Sequence, residues 1–128
     1  MSDIEQIQKA LDMYQLEHGY YPKMGWNNSA ESNWTNLENA LKDYLPTLPK
    51  DPDNTGGRPY SGGFEYAYFA RGYGGDGKWY MLVYNLKNDH PDLESTDGVT
   101  ACDGHYFHYG THTTGSRKNT ITVGRSCN

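Results

Sequence analysis

Three histidines, His105, His108 and His112, are the nearest approach to a metal cluster in this 128-residue sequence. On an extended strand, residues three apart point to opposite faces, so His105 and His108 do not converge there. His108 and His112 share a face only if the strand runs through Gly110. Zinc usually takes four ligands in closed geometry, and no neighbouring cysteine or carboxylate completes such a set at a recognisable spacing. Exposed strand histidines are the plainer expectation. A second group is acidic: Asp89, Asp92, Glu94, Asp97 and Asp103 fall within one stretch. Calcium binds several oxygens from one flexible loop, which makes Asp89, Asp92 and Asp97 the calcium candidates, although their order does not match an EF-hand. Asp51 and Asp53, beside Asn54, offer a smaller version of the same chemistry. For catalysis the chain is poor. It has no Gly-x-Ser-x-Gly, no paired His/Cys motif and no phosphate loop, since Gly72 to Gly77 lacks the required Lys-Ser/Thr ending. No enzymatic activity is expected, and no cofactor other than calcium.

The two cysteines, Cys102 and Cys127, lie in the last quarter of the chain. A bridge between them closes a loop of about 25 residues and is worth about 3 kcal/mol. The alternative is two free thiols in a reducing cytosol. Their surroundings read as exposed loop, where free thiols are a liability, so a disulfide and an oxidising compartment are expected.

These residues sit on a small, polar scaffold. Hydrophobic content is 35%, and tyrosine, with 12 copies against 3 Trp and 3 Phe, dominates the aromatics. Tyrosine buries a large ring while its hydroxyl meets water or a partner, which suits a thin domain. The formal charge of −5 argues against nucleic acid, whose phosphates need a basic surface. No apolar run approaches the roughly 18 to 20 residues that span a bilayer, and no signal peptide is visible.

The element that must organise the rest is the first 19 residues. Ser2 and Glu5 have the spacing of a capping box. Ile4, Ile7, Leu11 and Tyr14 recur at helical spacing with Ala10 beside them, and Gly19 before Tyr20-Tyr21-Pro22 ends the helix. A helix this short is marginal alone, so its stripe needs a cover. A loop follows, containing the two glycosylation patterns Asn27-Asn28-Ser29 and Asn33-Trp34-Thr35 that would lie at the surface. Ser32 or Asn33 caps a second helix over about 34–44, with Leu37, Ala40, Leu41 and Leu45 inward. The prolines and glycines of 48–60 make a loop. Strands are expected at 64–70, 78–86, 105–109 and 119–124, with a glycine-rich hairpin at 72–77 and a long acidic loop at 87–103. The second strand is apolar on both faces, as a central strand would be.

The run Asp3 to Pro22, with Ala-Leu-x-x-Tyr ending in a Gly-x-Tyr-Pro turn, resembles the helix end of bacterial type IV pilins and type II secretion pseudopilins. Leu-x-x-Leu-Pro-Lys-Asp-Pro, from Leu45 to Pro52, resembles the turn leading into the pseudopilin sheet. The hairpin from Phe64 to Leu86 and the C-terminal cysteine pair resemble the globular part of the same proteins. The resemblance covers Asp3 to about Leu86, and the tail in outline. It implies an extracytoplasmic filament subunit whose apolar N-terminal helix of about 25 residues, absent here, anchors the precursor in the membrane and packs in the filament core. Related pseudopilins bind calcium near the C-terminus, but their Gly-rich acidic ending is missing here. The Asp89 to Asp103 insertion and the cysteine loop look more like pilins.

The expected architecture is therefore a single α+β domain in which an N-terminal amphipathic helix packs on a small antiparallel sheet, with a short second helix. It divides into a helix (1–19), a helix-loop region (20–60) and a β-sheet with a disulfide-closed loop (61–128). The expected role is structural, a homopolymer of pilus or secretion pseudopilus type at the cell surface or in the periplasm. Ile4, Ile7, Leu11 and Tyr14 belong to its packing helix, and Asp3, Glu5, Lys9 and Asp12 are candidates for meeting neighbours. The rival is a secreted carbohydrate- or surface-binding module using Trp26, Trp34 and the tyrosines.

Overall fold

A computed structural model of the chain describes residues 2–86, 98–109 and 119–127. Helix α1 spans Asp3–His18. Ser2 stands at its N-cap in extended geometry, and its hydroxyl oxygen accepts the Glu5 amide at 3.2 Å. In return the Ser2 hydroxyl donates to Glu5 Oε1 at 3.1 Å, so the expected capping box forms with its reciprocal arm moved from backbone to side chain. Gly19 takes the left-handed conformation at φ 85° and donates its N–H to the Gln15 carbonyl.

Strand β1 (Asn27–Asn28) follows in what the sequence reads as loop, and helix α2 covers Trp34–Leu41. Asn33 precedes α2 but gives it no side-chain cap. Its amide instead donates to the Trp26 carbonyl at 2.9 Å and accepts the Asn28 N–H at 3.0 Å, closing the loop on itself. The helix stops at Leu41, short of Tyr44, because the next turn tightens and the Tyr44 N–H returns to the Leu41 carbonyl. The first glycosylation pattern is not a surface feature, since Asn27, Asn28 and Ser29 are buried, and the second is half-exposed, with the Asn33 amide spent on this loop.

A short 3₁₀ turn (Pro59–Ser61) leads to β2 (Ala67–Phe69), β3 (Tyr80–Asn85), β4 (Val99–Thr100), β5 (Tyr106–Phe107) and β6 (Thr120–Arg125). The main sheet runs β1-β2-β3-β6, with every neighbouring pair antiparallel. Two expectations need correction here. The third strand exists but does not join this sheet. It pairs with β4, which lies inside the stretch read as an acidic loop, to make a separate two-stranded ribbon.

Strand β3 is central, as its two apolar faces require. Tyr80 and Leu82 face a core with Ile7, Leu11, Leu37, Leu41 and Tyr68. Trp79, Met81 and Val83 face a second core closed by Val99 and Ala101 of the ribbon region. The sheet is thus covered by helices on one side and by the β4–β5 ribbon on the other. Gly124 lies opposite Met81 in β6, where a Cβ would stand 2.1 Å from the Tyr80 carbonyl oxygen, so only glycine permits this pairing.

Tyrosine does more here than line the surface. Tyr68 and Tyr80 are fully buried, and Tyr68 donates its hydroxyl to the Pro22 carbonyl at 2.8 Å. Burial pushes both phenols above their ordinary pKa, and it does the same at Tyr66. A raised folded pKa means that the native state holds protons the unfolded chain releases. This stabilisation is complete below about pH 10 and is lost as pH rises further. A spectrophotometric pH titration should show phenols that ionise only together with unfolding. Free ionisation of every tyrosine near pH 10 with the fold intact would contradict the buried hydroxyls.

Candidate functional site

The first helix divides its surface between its own domain and the outside. Ile7, Ala10 and Leu11 are buried, and Ile4 and Tyr14 pack half-buried against the same core. Tyr14 meets Tyr44 edge-on at 6.3 Å and His18 at 4.1 Å, so the stripe is sealed at its C-terminal end by rings. The outer face carries Glu5 and Lys9 together with two large apolar side chains, Met13 at 42% and Leu16 at 83% exposed. Of the charges expected to meet neighbours, two are engaged within the chain. Asp3 accepts the Tyr66 hydroxyl at 3.1 Å, and Asp12 accepts the Arg125 guanidinium at 3.1 Å, tying the helix to the end of β6. Both the hydrogen bond to Asp12 and its charge hold the Arg125 pKa up.

The second functional face is the disulfide. Cys102 and Cys127 are bonded, with their Cα atoms 5.0 Å apart. The Cys127 N–H reaches the Thr100 carbonyl at 2.9 Å, and the Thr100 N–H reaches the Ser126 hydroxyl at 3.0 Å, so the bridge fastens the end of β6 to the ribbon. The glycine-rich hairpin lies directly on it. A Cβ on Gly74, whose φ is +94°, would stand 2.8 Å from the Asp103 amide nitrogen, and one on Gly75 would stand 3.2 Å from Cys102 Sγ. The Asp103 N–H then bonds the Tyr73 carbonyl at 2.8 Å. Rings complete the seal: Trp79 and Phe107 stack at 5.5 Å, and Tyr73 meets both edge-on.

Among the described residues the histidines do not assemble a metal site. His105 is exposed, and its Nδ1 lies 2.9 Å from Asp103 Oδ1, which also accepts the His105 backbone N–H at 3.0 Å. That backbone bond first, and the imidazole behind it, hold the Asp103 carboxyl below the usual range. The His108 ring approaches Tyr106 at 5.9 Å instead. Asp51 Oδ1 accepts the Asp53 N–H at 2.9 Å, an Asx turn across Pro52. Among the described residues no group of three or more His, Cys, Asp or Glu side chains is placed to hold a metal. The calcium candidates Asp89, Asp92 and Asp97 lie outside the described residues, as does His112.

Sequence reasoning missed one buried charge. Glu65 is fully buried within a run that reads as alternating aromatics. Its Oε2 accepts the Arg58 N–H at 2.8 Å and the Asn28 side-chain amide at 3.3 Å, and its Oε1 accepts the Ala30 N–H at 3.3 Å. Beside it the Ser29 hydroxyl oxygen accepts the Tyr66 N–H and the same hydroxyl donates to Asn54. One carboxylate therefore joins three loops beneath the β1 edge. The available signal was a lone acid facing inward between turn-forming Gly-Gly and Tyr-Ala.

Of the aromatics named for a glycan-binding surface, the tryptophans lie inside or half-inside, whereas Tyr73 and Tyr106 are exposed. Trp34 is 1% exposed, Trp79 is fully buried, and Trp26 is half-buried against Phe69 with ring centres 5.0 Å apart. Among the described residues no helix is long and apolar enough to cross a membrane.

Comparison with known proteins agrees with this architecture. The family described as type II secretion system (T2SS), protein G, matches residues 1–78, which include α1, α2, the first two strands and the turn between them. No significant match arises among curated proteins or among solved structures. A family match over more than half of the chain, together with an N-terminal helix whose apolar stripe lies on an antiparallel sheet, places this chain in the type II secretion system protein G family of pseudopilins.

Proposed function

We propose that this chain is the globular part of a filament subunit, a pseudopilin that polymerises with copies of itself outside the cytoplasm during type II secretion. The observation that carries this is the family match across α1 and the segment after it, on a helix already seated against its own sheet. In this reading α1 is the lower half of a longer rod whose apolar upper half anchors the precursor in the membrane and later packs in the filament. Ile4, Ile7, Leu11 and Tyr14 fix the domain to the rod, while Lys9, Met13 and Leu16 remain for neighbouring copies. The disulfide and its aromatic seal suit an oxidising compartment. The role is mechanical rather than catalytic.

Deleting the gene in the source bacterium should leave secreted proteins trapped in the periplasm, and supplying the gene again should restore their export. Unchanged export in the deletion strain would remove the proposal. The glycan-binding rival draws nothing from its two tryptophans, since Trp34 lies in the first core and Trp26 packs against the second.

A further inference from the structure

We propose that successive copies of this chain join along α1 one heptad out of step, Leu16 of one copy seating in a hole on the outer face of the next. This rests on the filament reading and names the contact that the exposed side of α1 makes.

The outer face of the helix carries a second stripe. Gln6, Lys9, Met13 and Leu16 follow one another at intervals of three, four and three residues, the repeat by which one helix grips another. Each stands two positions after a member of the inner stripe Ile4, Ile7, Leu11 and Tyr14, a turn of about 200°, so the two stripes lie back to back. The inner one is spent on the domain's own core.

The outer stripe is not flat. A groove of about 290 Å³ opens in it, lined by Gln6, Lys9, Ala10 and Met13 of α1 and by Tyr44 and Leu45 from the segment after α2. Counted from Gln6, the four helix residues stand at i, i+3, i+4 and i+7, the set that forms the hole for a knob from a facing helix. Ala10 is buried and short, so it floors the hole without filling it. Tyr44 and Leu45 wall one side, and the Tyr44 hydroxyl donates to Glu17, which steadies the ring. A hole of this kind takes a side chain from another helix. Leu16, 83% exposed on the same stripe, is the knob that a second copy offers.

Charge sets the stagger. Two copies paired in register would set Lys9 against Lys9 and leave the hole to a lysine. Sliding one helix by seven residues, about 10 Å, brings Leu16 level with Lys9 and Ala10, and Met13 level with Gln6. Lys9 then lays its apolar stem along the leucine and carries its ammonium toward Glu17, the next residue of the incoming helix. Knob and hole are different surfaces of one chain, so the contact is heterologous. Each copy gives its leucine to one neighbour and its hole to another, and the series stays open.

The test is cross-linking in a bacterium that assembles filaments from the complete protein. With Lys9→Cys and Leu16→Cys in one chain, mild oxidation of the filaments should give a ladder of dimers, trimers and longer covalent chains. Seven residues apart on one helix, the two new cysteines cannot bridge within a chain. Either substitution alone should leave monomers. Leu16→Ala, with no added cysteine, should lower filament yield at least about tenfold. An intact Cys102–Cys127 bridge and normal export of each variant show that it folds. Filaments of the double variant that stay monomeric on oxidation, or normal yield from Leu16→Ala, would overturn the contact while leaving the filament reading intact. A covalent dimer from Leu16→Cys alone would overturn it as well, because copies would then pair in register or antiparallel. Absence of filaments from the unmodified protein would strike the filament reading itself, and this contact with it.

Discussion

Replacing Glu65 by alanine is expected to destabilise the domain by about 3–5 kcal/mol, enough to unfold a fraction of it at growth temperature. The substitution removes the acceptor of the Arg58 and Ala30 backbone N–H groups and of the Asn28 amide while leaving all three donors in place. It also releases strain. Arg58 sits at φ 37° and Asn54 at φ 47°, conformations that ordinary side chains hold only when their surroundings insist. With the carboxylate gone, the 54–58 loop has little reason to keep them. Glu65→Gln preserves shape but presents an NH₂ group where a donor already points, so an intermediate loss of about 1–3 kcal/mol is expected. Urea denaturation of the three proteins decides the matter. A loss below about 1 kcal/mol for the alanine variant would mean that the loops hold themselves.

Loss of the disulfide should be the second large effect. Changing Cys102 and Cys127 to serine together frees a loop of about 25 residues, and on chain-entropy grounds costs about 3 kcal/mol. The structural consequence is local before it is global. The ribbon, the end of β6 and the glycine-rich hairpin all meet at the bridge through the Cys127, Thr100, Asp103 and Tyr73 backbones. Their amides should exchange much faster in the serine variant, while those of Ile7 to Leu11 and of β2 change less. Uniform loosening of the whole chain would show instead that the two cores unfold as one.

The first helix was legible in the sequence because each of its signals is local. The capping pair Ser2 and Glu5, the stripe at Ile7 and Leu11, and the stop at Gly19 all act within a few residues. Strand β3 was legible for a related reason, since alternating apolar residues on both faces have few other uses. What the sequence concealed depends on distant partners. Strand β1 is two asparagines, poor strand formers, held by pairing with Tyr68 and Ala67 some forty positions later and by the Asn33 and Glu65 side chains. Strand β4 lies where charge density suggests loop, and it forms because Val99 and Ala101 are needed to close the second core. Asn33 looked like a helix cap by type, but the Trp26 carbonyl and the Asn28 amide compete for its side chain and win. Of the assembly helix, the side that faces its own domain was readable from periodicity. That Asp3 and Asp12 serve the chain itself was not, because Tyr66 and Arg125 come from strands far along the sequence.

The account turns on α1 being both the spine of this domain and part of a polymer. That spine leaves Met13 and Leu16 in the open, where a stack of copies can cover them. The most direct measurement is electron microscopy of material sheared from bacteria that express the chain behind an apolar helix of about 25 residues, long enough to span the membrane. The account predicts thin filaments that bind antibody raised against the 128-residue domain along their whole length. Folded, disulfide-bonded protein that accumulates in the membrane of a secretion-competent host without forming filaments would contradict it.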